Sequence, residues 1–362
     1  MCGDGIDADE YVGRLISEGF NVRRLAGLEQ DGLSPIQLKR QAEKIGAVID
    51  ELRPDILHSF THRANVASFL ALRKRPGVRF IPNVTGAGRL FDKSLSLRDR
   101  LARFVLLQLY RMMGRRCECI FFQNEDDLAE IGGYMRLPRA RLRLTGGSGL
   151  DPSEVGFNPT DNNDLLRRQL KHDYGIASDK RMFLFPSRAL KSKGVQEFYE
   201  AASQYLDLFD DAVFVHAGES GGDGPHGVSH DALSALERPG LHFIGFQRDI
   251  YSLINASAVV VLPSFYREGI PRALIEALYF GKLVITTDAP GCRETVIDGW
   301  NGLLVQARST HSLLAAMVST QSMNSVDVAC NSRRLFDRKY HAERVTTIYL
   351  EQYARTLENP AP

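Results

Sequence analysis

Two glutamates, Glu268 and Glu276, stand with seven residues between them in the stretch "SFYREGIPRALIEALYFGKLVITTDAPGCRETV" (264–296). Isolated glutamate pairs most often mark a helix surface, so the neighbours decide how these two are read. The run "AVVVLPS" (258–264) before them has the composition of a strand. Pro271 suits the first residue of a helix, where a missing N–H costs nothing, and Gly281 suits its end. Glu276 then lies about 7 Å further along the helix axis than Pro271, at ~1.5 Å per residue. Both carboxylates can border one ligand of nucleotide size. The helix mouth between them offers N–H groups and partial positive charge to a phosphate or a sugar oxygen.

A second stretch, "FLFPSRALKSKGVQEFYEAA" (183–202), reads as strand, basic loop and helix, with Arg188 and Lys193 beyond the strand end and Gly194 opening the helix. Two cations at a helix mouth can hold a diphosphate and neutralise the charge that builds on it as a leaving group. That removes the need for a metal, and neither a metal nor a cofactor is expected. The bland alternative for the two cations is a solvated basic loop. For Glu276, the neighbours Ile275, Ala277 and Leu278 argue for a partly buried position, where a carboxylate needs a partner.

These groups need a frame. The 362 residues suffice for two domains, and 44% hydrophobic with 25% charged content is globular. A net charge of +1 argues against a nucleic-acid partner bound by bulk electrostatics. No apolar run nears the ~20 residues that span a bilayer. Cys2, Cys117, Cys119, Cys292 and Cys330 are scattered without a CxxC pair, which suits reduced thiols. Short apolar runs alternate with helical stretches throughout: "FNVRRL" (20–25), "DILHSF" (55–60), "VRFIPNV" (78–84), "CECIFFQN" (117–124) and "RLRLTG" (141–146), then "MFLFPS", "AVFVHAG", "LHFIGF", "AVVVLPS", "KLVITT" and "GLLV". Such alternation predicts an α/β protein with parallel, doubly wound sheets. The polar stretch 151–180 reads as a linker. Two domains, 1–160 and 178–325, would face each other across a cleft, and a helical tail, 326–362, would pack back towards the first. Ligands of such sheets bind beyond the carboxyl ends of the strands.

In this order and spacing, "SFYREGIPRALIEAL", "SRALKSKGVQEF", "GFQRDIYSLINASAVVVLPS" and "APGCRETVIDGWNGLLV" resemble the E-x7-E glycosyltransferases of the retaining GT-B family 4. In the first half, "RPDILHSFTHRANVASFLAL", "NVTGAGRLF", "IFFQNEDD" and "GGSGLD" are similar to the branch that builds O-antigen and capsule glycans on polyprenyl-diphosphate carriers. The resemblance implies a GT-B fold of two Rossmann-like domains and transfer of a sugar from a nucleotide-sugar, a UDP-sugar by preference, with retention. Arg188 and Lys193 would bind the donor diphosphate, Glu276 the ribose hydroxyls, and Glu268, the catalytic candidate, the sugar near its reacting carbon. The backbone of Gly269 and Ile270 would reach the sugar or the phosphates, and Phe246 and Arg248 of "GFQRD" would lie near the base.

On the acceptor side, Thr85–Gly86 stands where many relatives carry His–Gly, and Arg89 follows in the same stretch. His62 and His58 flank the preceding strand end, where a lone histidine is more often structural. The segment 93–117 interleaves six arginines with apolar residues. It reads either as an interfacial helix touching anionic lipid, which would place the protein at the inner membrane face, or as a core stripe with a solvated basic face. "GGDGPHG" (221–227) mimics a dinucleotide fingerprint through Gly222, Gly224 and Gly227, but it starts too far beyond its strand, and a surface loop is the better reading. By comparison with the family the chain lacks its first βα unit, on the order of 35 residues, and a start assigned too late is the favoured explanation. The rivals are a nucleotide-sugar epimerase of similar fold, which would turn over donor without acceptor, and an inactive nucleotide-sugar-binding or scaffold protein, which would bind without transfer.

Overall fold

The structure, a computed structural model, describes residues 8–25, 34–92, 95–157, 164–176, 179–221 and 226–358. Cys2, Gly222 and Gly224, and parts of the 93–117 and 151–180 stretches lie outside the described residues. Two parallel sheets carry the chain. In the first, β1 (Ile56–Phe60), β2 (Arg79–Val84), β3 (Ile120–Phe122) and β4 (Leu142–Leu144) lie side by side in chain order. The second holds β5 (Arg181–Pro186), β6 (Ala212–Ala217), β7 (Leu241–Phe243), β8 (Val259–Leu262), β9 (Leu283–Thr287) and β10 (Gly302–Val305) in the order β10-β9-β8-β5-β6-β7. Helices cover both faces of this sheet, so strands such as "AVFVHA" are buried at every residue rather than at alternate ones.

The larger helices are α1 (Ala8–Ser17), α2 (Pro35–Leu52), α3 (His62–Leu72), α4 (Leu97–Met113), α5 (Asp164–Tyr174), α6 (Val195–Leu208), α7 (Ile250–Ala256), α8 (Arg272–Tyr279), α9 (Thr310–Ser319), α10 (Ser325–Lys339) and α11 (Ala342–Glu358). Phe80, Tyr110 and Phe122 centre one apolar core, and Phe183, Phe198 and Phe214 centre the other. Helix α11 crosses back to the first sheet. There Asn83 Nδ2 donates to Tyr349 Oη at 2.7 Å, and Ile81, Cys119 and Phe121 pack with Ile348, Tyr349 and Tyr353.

The structure departs from the sequence reading at two places in the frame. "FNVRRL" forms no strand among the described residues: Phe20 is exposed, and Arg23 is drawn onto α2 by two bonds of 2.7 Å to Glu51. A β-prone composition makes a strand only where an edge is offered to it. The stretch 151–180, read as a linker, carries α5, and its Leu170 and Ile176 join the second core.

The second sheet reverses its strand order between β5 and β8, and the loops that follow these two strands converge there. At their crossing Gly194 takes φ +80°, and a Cβ on it would overlap the Pro263 carbonyl oxygen. Gly194→Ala therefore meets both left-handed strain and a backbone clash. It is expected to lower stability by about 1–3 kcal/mol, read as a lower denaturant midpoint at unchanged m; an unshifted midpoint would contradict the crossing.

Candidate active site between the domains

Beyond β5 and β8 the two loops bring their charged groups together. Lys193 Nζ donates to Glu268 Oε1 at 2.7 Å, and the hydroxyl of the buried Ser264 donates to the same oxygen at 2.8 Å. The side chains of Lys193 and Glu268 are 19% and 14% exposed, so each charge relies on the other more than on water. Ser264 was not singled out from sequence; its place, last in the "LPS" strand end, is the signal that could have found it. Arg188 is exposed on the same loop as Lys193. The buried His216 supports that loop from below. Its Nε2–H donates to the Ser187 carbonyl at 2.9 Å, Tyr199 Oη lies 3.1 Å from Nδ1, and burial pulls its pKa down to about 4.

Helix α8 follows. Pro271 precedes it rather than opening it: its backbone is extended (φ −61°, ψ 123°), and its carbonyl accepts from Leu274 and Ile275 at 3.1 and 3.3 Å. The ring sets φ only, and the extended ψ turns the chain from the Glu268 loop into the helix. Glu276, one turn in, is buried and accepts from Arg272 Nε at 2.9 Å. Burial raises its pKa while Arg272 pulls it down. Arg272 also reaches Tyr251 Oη at 3.1 Å and Glu154 at 3.3 Å, so the carboxylate has the partner its burial demands.

The first domain closes on the second through five consecutive residues after β3, three of them on this loop and two on the segment after β9. Gln123 Oε1 accepts the Ile270 N–H at 3.2 Å, and Asn124 Nδ2 donates to the carbonyls of Glu268 and Gly269 at 2.9 and 3.2 Å. The Glu125 N–H donates to Glu294 Oε1 at 3.2 Å, Arg293 bonds Asp126 at 3.2 Å, and Arg267 bonds Asp127 at 2.9 Å. The Thr85–Gly88 loop joins them: the Gly88 N–H donates to the Arg267 carbonyl at 3.0 Å, and a Cβ on Gly86 would stand 2.6 Å from the Gly269 nitrogen. Glu268 thus sits where both domains meet.

Residues 167–325, which hold both loops and both glutamates, match the family of glycosyl transferases group 1. The likeness extends over more of the chain in the alpha-D-kanosaminyltransferase of Streptomyces kanamyceticus, 30% identical over 285 residues that cover 77% of this chain and 69% of that one. The chain belongs to the group 1 glycosyltransferases. A second relative is the N,N'-diacetylbacillosaminyl-diphospho-undecaprenol alpha-1,3-N-acetylgalactosaminyltransferase of Campylobacter jejuni, 26% identical over 361 residues, covering 98% of this chain and 91% of that one. Anabaena HepE, solved in complex with UDP and glucose, matches 98% of this chain and 91% of its own at 17% identity with a TM-score of 0.75, which shows the same two-domain GT-B fold. Both sequence relatives transfer sugars, which leaves the epimerase reading without support.

In this glycosyltransferase the other sequence candidates fall in three places. Thr85 and Gly86 face the Glu268 loop, as just described. Arg89 is exposed and bridges the domains differently, its guanidinium 3.3 Å from His226 Nε2 and 3.7 Å from Asp99. Phe246 and Arg248 are exposed after β7, an edge strand two positions from β5. His62 has the structural part that a histidine at a strand end more often has. His62 does not offer its ring to the cleft: Nε2–H donates to the Ala87 carbonyl at 3.0 Å, Nδ1 accepts from Tyr110 Oη at 2.7 Å, and burial lowers its pKa. It braces the Thr85–Gly88 loop. His58 is likewise engaged, with Tyr353 Oη at 2.5 Å. The Ile270 N–H donates to Gln123 Oε1 where the two domains touch.

Glu294 was not anticipated. Burial, with Asp126 and Glu125 close by, pushes its pKa up to about 7, although the Glu125 N–H that it accepts opposes the shift. An acid whose folded pKa is raised binds its proton more tightly when folded. Its contribution to stability is therefore favourable at low pH and is lost as pH rises from about 4.5 to about 7. Glu294→Gln keeps a carbonyl oxygen for Glu125. It is expected to melt higher than wild type above pH 7, by on the order of 1–3 kcal/mol at about 1.4 kcal/mol per pKa unit, with the gap closing towards pH 4.5; a pH-independent gap would contradict the assignment.

Proposed function

We propose that this glycosyltransferase moves a sugar from a UDP-sugar to a glycan carried on polyprenyl diphosphate, with retention of configuration and without a metal ion. The observation that carries the reading is the Lys193–Glu268 pair at the switch point of the second sheet, under the loops of the first domain. Support for the donor comes from HepE, whose fold this chain shares and which was solved with UDP and glucose. The carrier reading is supported by the Campylobacter relative, whose name states a diphospho-undecaprenol-linked acceptor.

Each residue then has a task. A donor diphosphate entering beyond β5 meets Arg188 and draws Lys193 from Glu268. Two cations on the departing diphosphate stabilise the charge it gains as the glycosidic bond breaks, and that is the part a metal would otherwise take. Glu268, released from Lys193, turns to the sugar near the reacting carbon and still accepts from Ser264. Glu276 binds the ribose hydroxyls through the oxygen that Arg272 leaves open. Thr85, Gly86 and Arg89 line the side from which the acceptor hydroxyl approaches. Contact between the domains excludes water, so the sugar passes to the acceptor rather than to solvent.

Glu268→Ala is expected to lower transfer by on the order of 10²-fold or more while UDP binding stays within a few-fold. Glu276→Ala should weaken UDP binding instead, by about 10-fold or more. Calorimetric titration with UDP, beside a transfer assay over nucleotide-sugars and polyprenyl-diphosphate-linked acceptors, separates the two; full activity in both variants would remove the assignment. No helix among the described residues is long and apolar enough to cross a membrane, and we place the enzyme at the inner membrane face through the exposed apolar side of α4. Phosphatidylglycerol vesicles should carry the wild-type chain upward in a flotation gradient and leave Leu101→Glu/Met112→Glu behind. Equal flotation of the two would remove α4 from that role.

A further inference from the structure

Helix α4 carries apolar side chains on two opposed sides. Leu106, Leu107, Tyr110 and Met113 are buried in the first core, while Leu97, Leu101, Phe104, Val105 and Met112 are exposed. At ~100° per residue the exposed set forms one stripe, with Arg98 along one border and Arg100 and Arg111 along the other. A helix that only covered a sheet would be polar on that side; Leu97 and Leu101 are instead 84% and 64% exposed. The solvated basic face considered from sequence is thus an apolar stripe with basic borders.

On the Arg100 border a cavity of about 540 Å³ opens, within the ~300–1,000 Å³ usual for small-molecule sites. Phe91, Leu95, Phe104 and Leu107 give its apolar wall, and Arg100, Arg103 and Arg267 its cations. Phe104 belongs to both cavity and stripe, so the two are continuous. At the other end Arg267 adjoins Glu268 in the chain.

The carboxylates near the cavity are already matched. Glu130 bonds both Arg103 and Arg267, Asp127 bonds Arg267 as well, and Asp92 lies 3.5 Å from Arg308. Arg100 has no ion pair among the described residues. The guanidinium groups of Arg103 and Arg267 lie over the Phe91 ring at 4.9 and 5.7 Å, and Arg267 Nε is a buried donor without an acceptor. The cavity therefore combines the charge of Arg100, which no carboxylate among the described residues cancels, with an apolar wall leading to an exposed apolar track. A ligand that satisfies both is an anion carried on a hydrocarbon chain. A free phosphate would leave the wall unused, and a sterol or fatty alcohol would leave the arginines unused.

We propose that this cavity seats the lipid diphosphate of the acceptor's carrier. The diphosphate lies against Arg100 and Arg103, the first isoprenoid units against Phe91, Phe104 and Leu107, and the rest of the chain leaves along Leu101 and Leu97. Guanidinium suits a diphosphate because its fork can give two parallel hydrogen bonds. The glycan on the other side of the diphosphate then extends past Arg267 to Glu268. The proposal rests on the carrier-linked acceptor argued under the proposed function and adds where the carrier is held.

The test uses the full chain and radiolabelled farnesyl diphosphate in equilibrium dialysis. Wild type is expected to bind it, and Arg100→Glu and Phe104→Ser, both changes of exposed side chains, to weaken binding about 10-fold or more. Lys39→Glu, an exposed charge change on α2, should leave binding unchanged. Excess pyrophosphate or farnesol should fail to displace the probe at concentrations where unlabelled farnesyl diphosphate succeeds. Equal binding by wild type, Arg100→Glu and Phe104→Ser overturns the proposal, as does association with phosphatidylglycerol vesicles in the absence of farnesyl diphosphate binding. A transfer assay on an undecaprenyl-diphosphate-linked glycan separates this from the function itself. If wild type transfers and both variants keep its KM, the cavity assignment falls while the function stands. If wild type transfers only to lipid-free acceptors, the carrier reading falls and takes the cavity assignment with it.

Discussion

One buried carboxylate joins the two domains at the loop that carries Glu268. Asp127 is fully buried and has three donors: Arg267 at 2.9 Å from the second domain, the Ala87 N–H at 2.8 Å, and Asn124 Nδ2 at 3.0 Å. Burial raises its pKa and Arg267 works against the rise, the behaviour of a charge kept out of water by its partners. The first contact fixes the loop that carries Glu268, and the second fixes the loop that carries Thr85 and Gly86. Removing one partner of such a pair leaves the other buried and uncompensated, typically at about 3–5 kcal/mol. This pair is one of the contacts that set the mutual placement of the glycosyltransferase's two halves, and Glu130 and Arg103 extend the same network.

A second consequence follows from the Lys193–Glu268 pair. Lys193 and Glu268, which the proposed function gives separate tasks towards a donor, neutralise each other in this structure. Neither charge stands alone in a poorly solvated place, which would cost several kcal/mol. On the proposed function, donor entry is an exchange of partners rather than the desolvation of bare ions. Ser264 gives Glu268 a second donor beside Lys193. Arg272 likewise donates to Glu276, so both glutamates are oriented by neighbouring side chains.

The first domain shows how a helix can serve two environments. Its buried side completes a core around Tyr110, whose hydroxyl lies 2.7 Å from His62 Nδ1 and thereby braces the loop that meets Glu268. The other side of the same helix is apolar and open. A change on the exposed side therefore leaves the brace alone, whereas a change at Tyr110 would reach the cleft.

The chain by itself determined the elements. Strands buried on both faces must be short, continuous apolar runs, and those of the second sheet were legible for that reason; "FNVRRL" misled because composition does not say whether an edge is available to pair with. The spacing of Glu268 and Glu276 around Pro271, and the basic loop before Gly194, were legible because the chemistry there is local: a strand end, a turn and a helix start within a few residues. What only the tertiary structure decided is who pairs with whom. Asp126 and Asp127 are neighbours of one residue type, yet one meets Arg293 and the other Arg267, 140 positions away in the chain. His62 lies beside a strand end where a ligand-facing histidine could stand, but Ala87 and Tyr110 close on both its ring nitrogens. Burial and hydrogen-bond partners are set by which surfaces the fold brings into contact, and a polar side chain's local sequence carries no record of a partner that far away.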